Sequence, residues 1–513
     1  MGNTLTSFHT RLIIFLLLVI SSSITTVVAL PYTRNLLSNY TITYYRYKPS
    51  KTVTAAEVIR DSKPAKAVPL LMYHGVVKEE DGVNTEIANF IEQMEKLKNE
   101  GYQTISVREF DLFHQGKFEL PAKPIIITFD DGRKDSYYNT DDVLRQLGFK
   151  ATMFVATGPI IEGNSFYLTW EELKKMKESG RWEIEAHGRY SHEKIPINED
   201  PETYGRYLTS RMYLAEEKRI ETVAEFEKRV EDDYSNSIND LKKNVGVTPQ
   251  YFSIPLNDYG KHTSNHPDSV AFNEQMMKKY FRLGFVQANS SADPSHIIAT
   301  IYNFNYTNPY TVRRLEVANL PAKDLIDILA KRAPTAPRII LDDEGFRTTP
   351  FNQENFSGKI LYLQNGLSLS AEKPGSNGQV IFGKDYWRGY EASATIEPMD
   401  GRSTVLLFNF QDGKNYLALS RTGNTVYLRQ TVKGVTSELA PAYYIGDLTS
   451  ETTTTFTVKA EGGFVDASIN GHAIFEQIPI PLQNGAVGFR VWDREVTASA
   501  ILQKLWVREL DQV

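Results

Sequence analysis

The feature that most constrains this chain is an alternation that begins at "VPLLMY" and runs to about residue 335. The short apolar runs "VPLLMY", "TISV", "IIITF", "ATMFVAT", "WEIEA", "YFSIP" and "GFVQ" read as strands. Between them lie "IANFIEQMEKLKNEG", "DSYYNTDDVLRQLG" and "TWEELKKMKESG", amphipathic stretches that each close on a glycine suited to a helix C-terminus. Strands that alternate with helices specify parallel βα units, here an α/β barrel closed or nearly closed. Ile220, Val223, Phe226, Val230, Tyr234, Ile238 and Leu241 recur at steps of three and four, which predicts one long amphipathic helix with a solvated charged face. From about residue 340 the pattern becomes all-β. "NYLALSR" and "VYLRQTV" are joined by "TGNT", and "FVDASI" and "HAIFE" by Asn470-Gly471, a strong hairpin signal. Residues 340–513 therefore read as a jelly roll or β-sandwich.

A chain of 513 residues exceeds one ordinary core, so two domains are expected. Arg11 precedes "LIIFLLLVI" and then "SSSITTVVAL", an export segment at residues 1–30 that serves as a signal peptide or, since Leu12–Leu30 is long enough to span a bilayer, as a membrane anchor. Residues 31–65, with "KPSK" and "SKPAK", read as a linker, and 66–335 as the α/β domain. The bulk of the chain is thus expected outside the cytoplasm, secreted or held to the membrane. There is no cysteine, which excludes disulfides, thiolate nucleophiles and cysteine metal ligands. Lys+Arg 57 against Asp+Glu 63 leaves a net charge of −6 and no basic field, which excludes nucleic acid as a partner.

In parallel βα folds the chemistry sits just past the carboxyl ends of strands. Three such ends carry unusual residues: "VPLLMY" ends on His74, "IIITF" on Asp130 and Asp131, and "WEIEA" on His187, with His192 five residues later. Two imidazoles and a carboxylate form a common set for a catalytic divalent cation. A gap of five does not place the histidines on one helical face, so a loop must fold back to bring both to one ion. If Asp131 binds the cation, its charge is neutralised and Asp130 is free to take a proton from water. Gly132 permits the tight backbone turn that two adjacent inward acids need. A helix N-cap near Asp135 accounts for one aspartate, but not for two with two histidines.

"TFDDG" followed by a two-histidine motif, in a βα chain opening with "LLMYHGV", resembles the polysaccharide deacetylases of the NodB-homology class (carbohydrate esterase 4-like), over residues 66 to 335. Within that class it is most similar to exopolysaccharide poly-N-acetylglucosamine deacetylases, whose histidine gap of five it shares. The resemblance implies a distorted (β/α) barrel, Asp130 as catalytic base, and Asp131, His187 and His192 as ligands of a divalent metal, zinc by default. It implies that His74, Tyr73 and Pro255 line the substrate site, with a backbone amide near Tyr73 or Asp131 at the oxyanion. "YFSIPLNDYG" stands at the family's third motif, where Ser253 replaces an arginine that orients the base and Leu256-Asn257 replace an aromatic-glycine pair, Tyr259-Gly260 following later. The late leucine-histidine motif that supplies a general acid is not visible; His262, His266 and His296 read as surface histidines. Arg313 and Arg314 resemble a late strand of this branch and read either as substrate contacts or as surface residues. The C-terminal region loosely resembles concanavalin-type jelly rolls, and Trp387, Tyr416, Tyr427 and Trp492 are either a sugar platform or core.

The implied function is hydrolysis of N-acetyl groups from an extracytoplasmic amino-sugar polysaccharide, with release of acetate. The alternatives are an O-acetyl glycan esterase and a catalytically inactive polysaccharide-binding surface protein. A glycosidase is excluded, because adjacent acids on one strand end cannot straddle a glycosidic bond.

Overall fold

The structure, a computed structural model, describes residues 44–49, 63–79, 81–200, 202–258, 265–288, 301–342, 345–446 and 453–510. The export segment 1–30, Tyr259, Gly260, His262 and His296 lie outside the described residues. Among the described residues, no helix is long and apolar enough to cross a membrane. The chain divides into two units: one holds 44–288 and 301–332, the other begins at Ala333.

In the first unit seven strands pair in parallel and close on themselves: β1 (Ala67–Tyr73), β2 (Pro124–Phe129), β3 (Ala151–Val155), β4 (Trp182–Ala186), β5 (Tyr251–Ser253), β6 (Leu283–Ala288) and β7 (Val312–Glu316). Chain order equals order around the barrel, and β1 closes it by pairing with both β2 and β7. The predicted strand "TISV" is not a barrel strand. Gln103–Thr104 makes a short edge pairing with β2, and Ser106 then caps the helix α1 (Val107–His114) through a capping box with Glu109, so local capping chemistry overrides the apolar run. The seventh barrel strand is instead "VRRLE".

Side chains alternate inward and outward along each strand. Val68, Leu70, Ile126, Phe154, Tyr251, Leu283, Phe285 and Val312 fill the interior, and Val107, Phe110 and Phe113 of α1 plug its amino end. The same parity carries Thr128, Asp130, Glu183, Glu185, His187, Ser253 and Arg314 to the inside. The long helix α2 (Val223–Val245) buries Phe226, Val230, Tyr234 and Leu241 and ends on Gly246 in the left-handed conformation. Its register starts later than predicted: Thr222 caps it with Glu225, leaving Ile220 outside and 40% exposed. Part of the predicted linker is docked. The Tyr47 backbone donates to Asp142 Oδ2 (2.9 Å) and its hydroxyl to Glu95 Oε1 (2.6 Å), with the ring buried.

Apart from one short helix (Gly345–Thr348), the described residues of the second unit form an eight-stranded and a seven-stranded antiparallel sheet. The two predicted hairpins form as Asn415–Thr422 with Thr425–Val432 and Phe464–Ile469 with His472–Pro479.

Candidate active site at the carboxyl end of the barrel

Asp130 and Asp131 follow β2 directly. Asp130 continues the inward parity of Ile126 and Thr128. Asp131 should then face outward, but it takes a φ of 75°, followed by Gly132 at 80°. Two successive left-handed residues turn the chain back, and both carboxylates face the barrel axis. A non-glycine residue in that region is strained, and such strain concentrates at functional positions.

His187 follows β4 on the inward parity. The loop to His192 folds back around α2: Asp233 accepts the backbone N–H groups of Arg189 (3.0 Å) and Tyr190 (2.6 Å) and the Ser191 hydroxyl. Gly188, at φ 79°, is required here, because a Cβ would lie 2.2 Å from Ser191 Oγ and 2.9 Å from Asp233 Oδ2. Asp131 Oδ1 then lies 3.5 Å from His187 Nε2 and 3.2 Å from His192 Nε2, and the two Nε2 atoms are 3.0 Å apart. His187 Nδ1 is 2.7 Å from the Ser253 carbonyl, which can only accept, so Nδ1 carries the proton and Nε2 presents its lone pair to the cluster. Asp131 Oδ1 is buried and makes no hydrogen bond. A tetrahedral cation bound at about 2.1 Å spaces its donors about 3.4 Å apart, which this set matches. An orphaned carboxylate oxygen and two oriented imidazoles fit a divalent cation. Burial opposes the charge on Asp131, but the neighbouring imidazoles of His187 and His192 outweigh it and hold the carboxyl well below its usual range.

Asp130 has a different partner. Arg314, from β7 and fully buried, forks onto it: Nη1 to Oδ1 at 2.7 Å and Nη2 to Oδ2 at 2.8 Å. Nη2 also donates to Ser253 Oγ (2.7 Å), which donates to Asp130 Oδ2 (2.9 Å), and Nη1 reaches Thr128 Oγ1 (3.2 Å). Burial pushes Asp130 up; the Arg314 guanidinium, foremost among its neighbours, outweighs it, and the carboxyl is lowered. Arg314 is therefore neither a surface residue nor exposed to a ligand. It takes the place of the arginine missing at Ser253, with Ser253 as a small bridge. The sequence signal for it is a cation at an inward position of an apolar strand, "VRRLEV", which demands a buried acid. Arg313 occupies the outward position beside it.

The remaining expected residues divide. His74 is half-buried at the end of β1, where its carbonyl accepts from Ser136 Oγ (2.6 Å) and its charge contributes to lowering Asp130. Tyr73 corrects the expectation of a substrate contact. By parity its ring points out of the barrel, fully buried between Phe90 and Phe129, with its hydroxyl on Gln93 Oε1 (2.8 Å); only its carbonyl serves the site, accepting from the Asp130 backbone (3.0 Å). Pro255 is buried and turns the chain; the residue it presents outward is Leu256, 37% exposed. His266, expected at the surface, packs against Phe226 at 5% exposure. Of the four β-unit aromatics considered for a sugar platform, Trp387 is buried, Tyr416 lies between Phe410 and Arg490, and Tyr427 is covered by Arg429 at 3.9 Å. Trp492 is 40% exposed.

Residues 117–272, which include Asp130, Asp131, His187, His192, Ser253 and Leu256, match the family model for polysaccharide deacetylase. The poly-beta-1,6-N-acetyl-D-glucosamine N-deacetylase of Escherichia coli K12 is 26% identical over 180 residues, 33% of this chain and 27% of its own. The protein of the same name from Staphylococcus aureus MRSA252 is 30% identical over 118 residues, 22% and 40% respectively. The chain thus matches less than half the length of these curated relatives. A solved de-N-acetylase from Aggregatibacter actinomycetemcomitans aligns with 48% of the chain and 94% of its own, at 20% identity and a TM-score of 0.40. The chain carries a polysaccharide deacetylase domain.

Proposed function

We propose that the protein removes N-acetyl groups from an amino-sugar polysaccharide outside the cytoplasm, in a metal-dependent hydrolysis that releases acetate. The carrying observation is the pairing of two neighbouring carboxylates with different partners: Asp131 with two oriented imidazoles, Asp130 with a buried guanidinium. Asp131, His187 and His192 would hold the cation, and zinc suits this donor set. A bound divalent cation supplies Lewis-acid polarisation of the acetamide carbonyl and of water. Asp130, kept ionised and oriented by Arg314 and Ser253, takes the proton of the attacking water. The departing amine nitrogen takes up a proton as acetate is released. The curated relatives named above are N-deacetylases of poly-N-acetylglucosamine, which favours an amide over an ester substrate. The apolar stretch Leu12–Leu30 supports placing the reaction on the far side of the membrane.

The test is acetate release by the purified full chain, stripped by chelator and reloaded with Zn²⁺, from N-acetylglucosamine oligomers and from O-acetylated xylan. Metal-dependent release from the oligomers is expected, and Asp131→Asn lowers it by roughly 10³-fold without loss of fold. Release from xylan alone makes the protein an esterase; release from neither makes it a binding protein.

A further inference from the structure

One face of the seven-stranded sheet in the second unit carries chemistry that the deacetylation does not use. Along the strand Ala486–Trp492, Val487, Phe489 and Val491 are buried in the core, and Arg490 and Trp492 alternate onto the opposite face. The register sets their neighbours: Arg490 stands between Gln379 and Val405, and Trp492 between Asn377 and Ser403. Residues two apart on a strand are separated by about 7 Å, so an indole and a guanidinium sit side by side at the spacing of one sugar ring. Trp492 is 40% exposed. Arg490 is half-buried and meets no carboxylate among the described residues, whereas Arg402, Arg429 and Arg508 elsewhere on these sheets each meet a glutamate. A cation drawn partly out of water without an acid is costly. This one is nonetheless held in place, and by neutral oxygens alone: Nε and Nη2 donate to Gln379 Oε1 (2.8 and 2.5 Å) and Nη1 to the Tyr416 hydroxyl (3.0 Å). Gln379 is fixed in turn by donating to the Asn355 carbonyl (2.8 Å), and the Tyr416 ring is stacked on Phe410. A guanidinium has five N–H groups; three are bound, which leaves one on each Nη for a ligand. A fixed, uncompensated guanidinium with open donors matches an oxyanion, and the exposed indole beside it matches the C–H face of a ring.

We infer that this face is a binding site for an acidic glycan: the ring of a uronic-acid residue stacks on Trp492, and its carboxylate is held by Arg490. The inference goes beyond the proposed function and does not depend on it. A deacetylated amino-sugar chain carries ammonium groups, which Arg490 repels, and a neutral acetylated chain leaves the guanidinium unanswered, so the ligand of this face is neither product nor substrate of the barrel. Gln379 and Tyr416 are the positioning residues, since they aim the guanidinium without neutralising it.

The experiment is titration calorimetry of the purified full chain with tetragalacturonate, with the N-acetylglucosamine tetramer and with acetate. Tetragalacturonate binds at least about tenfold more tightly than the neutral tetramer, the factor that one charge-assisted pair implies, and its Kd rises with salt. Acetate, which has a carboxylate but no ring for the indole, binds at least about tenfold more weakly than tetragalacturonate. Arg490→Gln raises the Kd for tetragalacturonate at least about tenfold and abolishes the preference over the neutral tetramer; Arg490→Lys, which keeps the charge and loses the fork, falls between. Trp492→Ala, a substitution at an exposed position, keeps the Tm of the wild type and raises the Kd as well. The assignment is overturned if tetragalacturonate does not bind, if it binds no more tightly than the neutral tetramer or acetate, or if Trp492→Ala and Arg490→Gln both bind it within twofold of wild type. The readout is binding rather than turnover, so a failure here leaves the proposed hydrolysis standing, and a failure of the hydrolysis leaves this site standing.

Discussion

At the mouth of the barrel Asp130 is buried and ionised; toward its amino end Glu185, equally buried on an inward position of β4, is pushed well above the usual carboxylate range. Burial is the largest single influence in both cases and opposes charge in both. Asp130 has a forked guanidinium against it, whereas Glu185 has a second acid, Glu183, as its next influence and only the Gln250 and Tyr251 backbone amides (2.8 and 3.0 Å) to offset it. Asp111, on the α1 plug, is an internal control: although it sits at the same end as Glu185, Arg282 and Gln115 bring it below its usual value against the pull of burial. The sign of a buried carboxylate's shift follows from its partners, not from its depth.

That comparison breaks most sharply if Arg314 is removed. Arg314→Met strips the guanidinium from Asp130 in a fully buried position, and should cost about 3–5 kcal/mol of stability at neutral pH, read by urea unfolding. Acetate release should fall at least about 10²-fold, because the base loses both its ionisation and its orientation. Arg314→Lys keeps the charge but loses the fork and should fall between the two. A Met variant within about 1 kcal/mol of wild type would show that something other than this pair holds Asp130.

Much of the mouth was legible in the sequence, because its residues sit at strand ends with a telling spacing. Asp130, Asp131, His187 and His192 stand together in the structure, and the back-folding loop that the gap of five demanded is built by Asp233 and Gly188. Two things were not legible. Tyr73 adjoins His74 in sequence, but one step along a strand reverses the face, and the ring went into the layer between barrel and helix. Arg314 is 184 residues from Asp130, and only closure of the barrel, which seats β1 between β7 and β2, brings the two together. "TISV" failed for a local reason, since a serine three residues before a glutamate makes a better helix start than a strand.

A smaller effect is expected at Arg282. Its side chain is 47% exposed, and Asp111 keeps the Gln115 amide (3.0 Å) and the Tyr251 hydroxyl (3.2 Å) when it is gone. Arg282→Ala should cost about 1 kcal/mol at pH 7, well below the Arg314 variant, because an exposed cation is already screened. Asp111 is depressed in the fold, so its contribution is present above the unfolded pKa and is lost as pH falls through the folded one. The gap between wild type and Arg282→Ala should therefore shrink on acidification. A constant gap from pH 7 to pH 3 would assign the loss to packing of the arginine stem instead.

The smallest and most discriminating effect is at Glu183, where two forces oppose. Burial raises its carboxyl, and the Val107 and Arg108 N–H groups at the start of α1 (2.8 and 3.4 Å) and Thr152 Oγ1 (3.2 Å) offset only part of that. An acid raised in the fold makes no difference below the unfolded pKa, where both states are protonated. Above it the unfolded chain ionises first, so stability falls as pH rises, until the folded carboxyl also titrates. Glu183→Gln keeps an acceptor for the helix amides and removes this penalty. It should match wild type near pH 3.5 and be the more stable of the two at neutral pH. The opposing force is the charge of Glu183 at the positive end of α1, worth about 0.3–1 kcal/mol in favour of the wild type. If the glutamine variant is the less stable at pH 7, the helix end outweighs burial, and Glu183 joins Asp111 and Asp130 as an acid held by its partner, leaving Glu185 as the one acid of the four under strain.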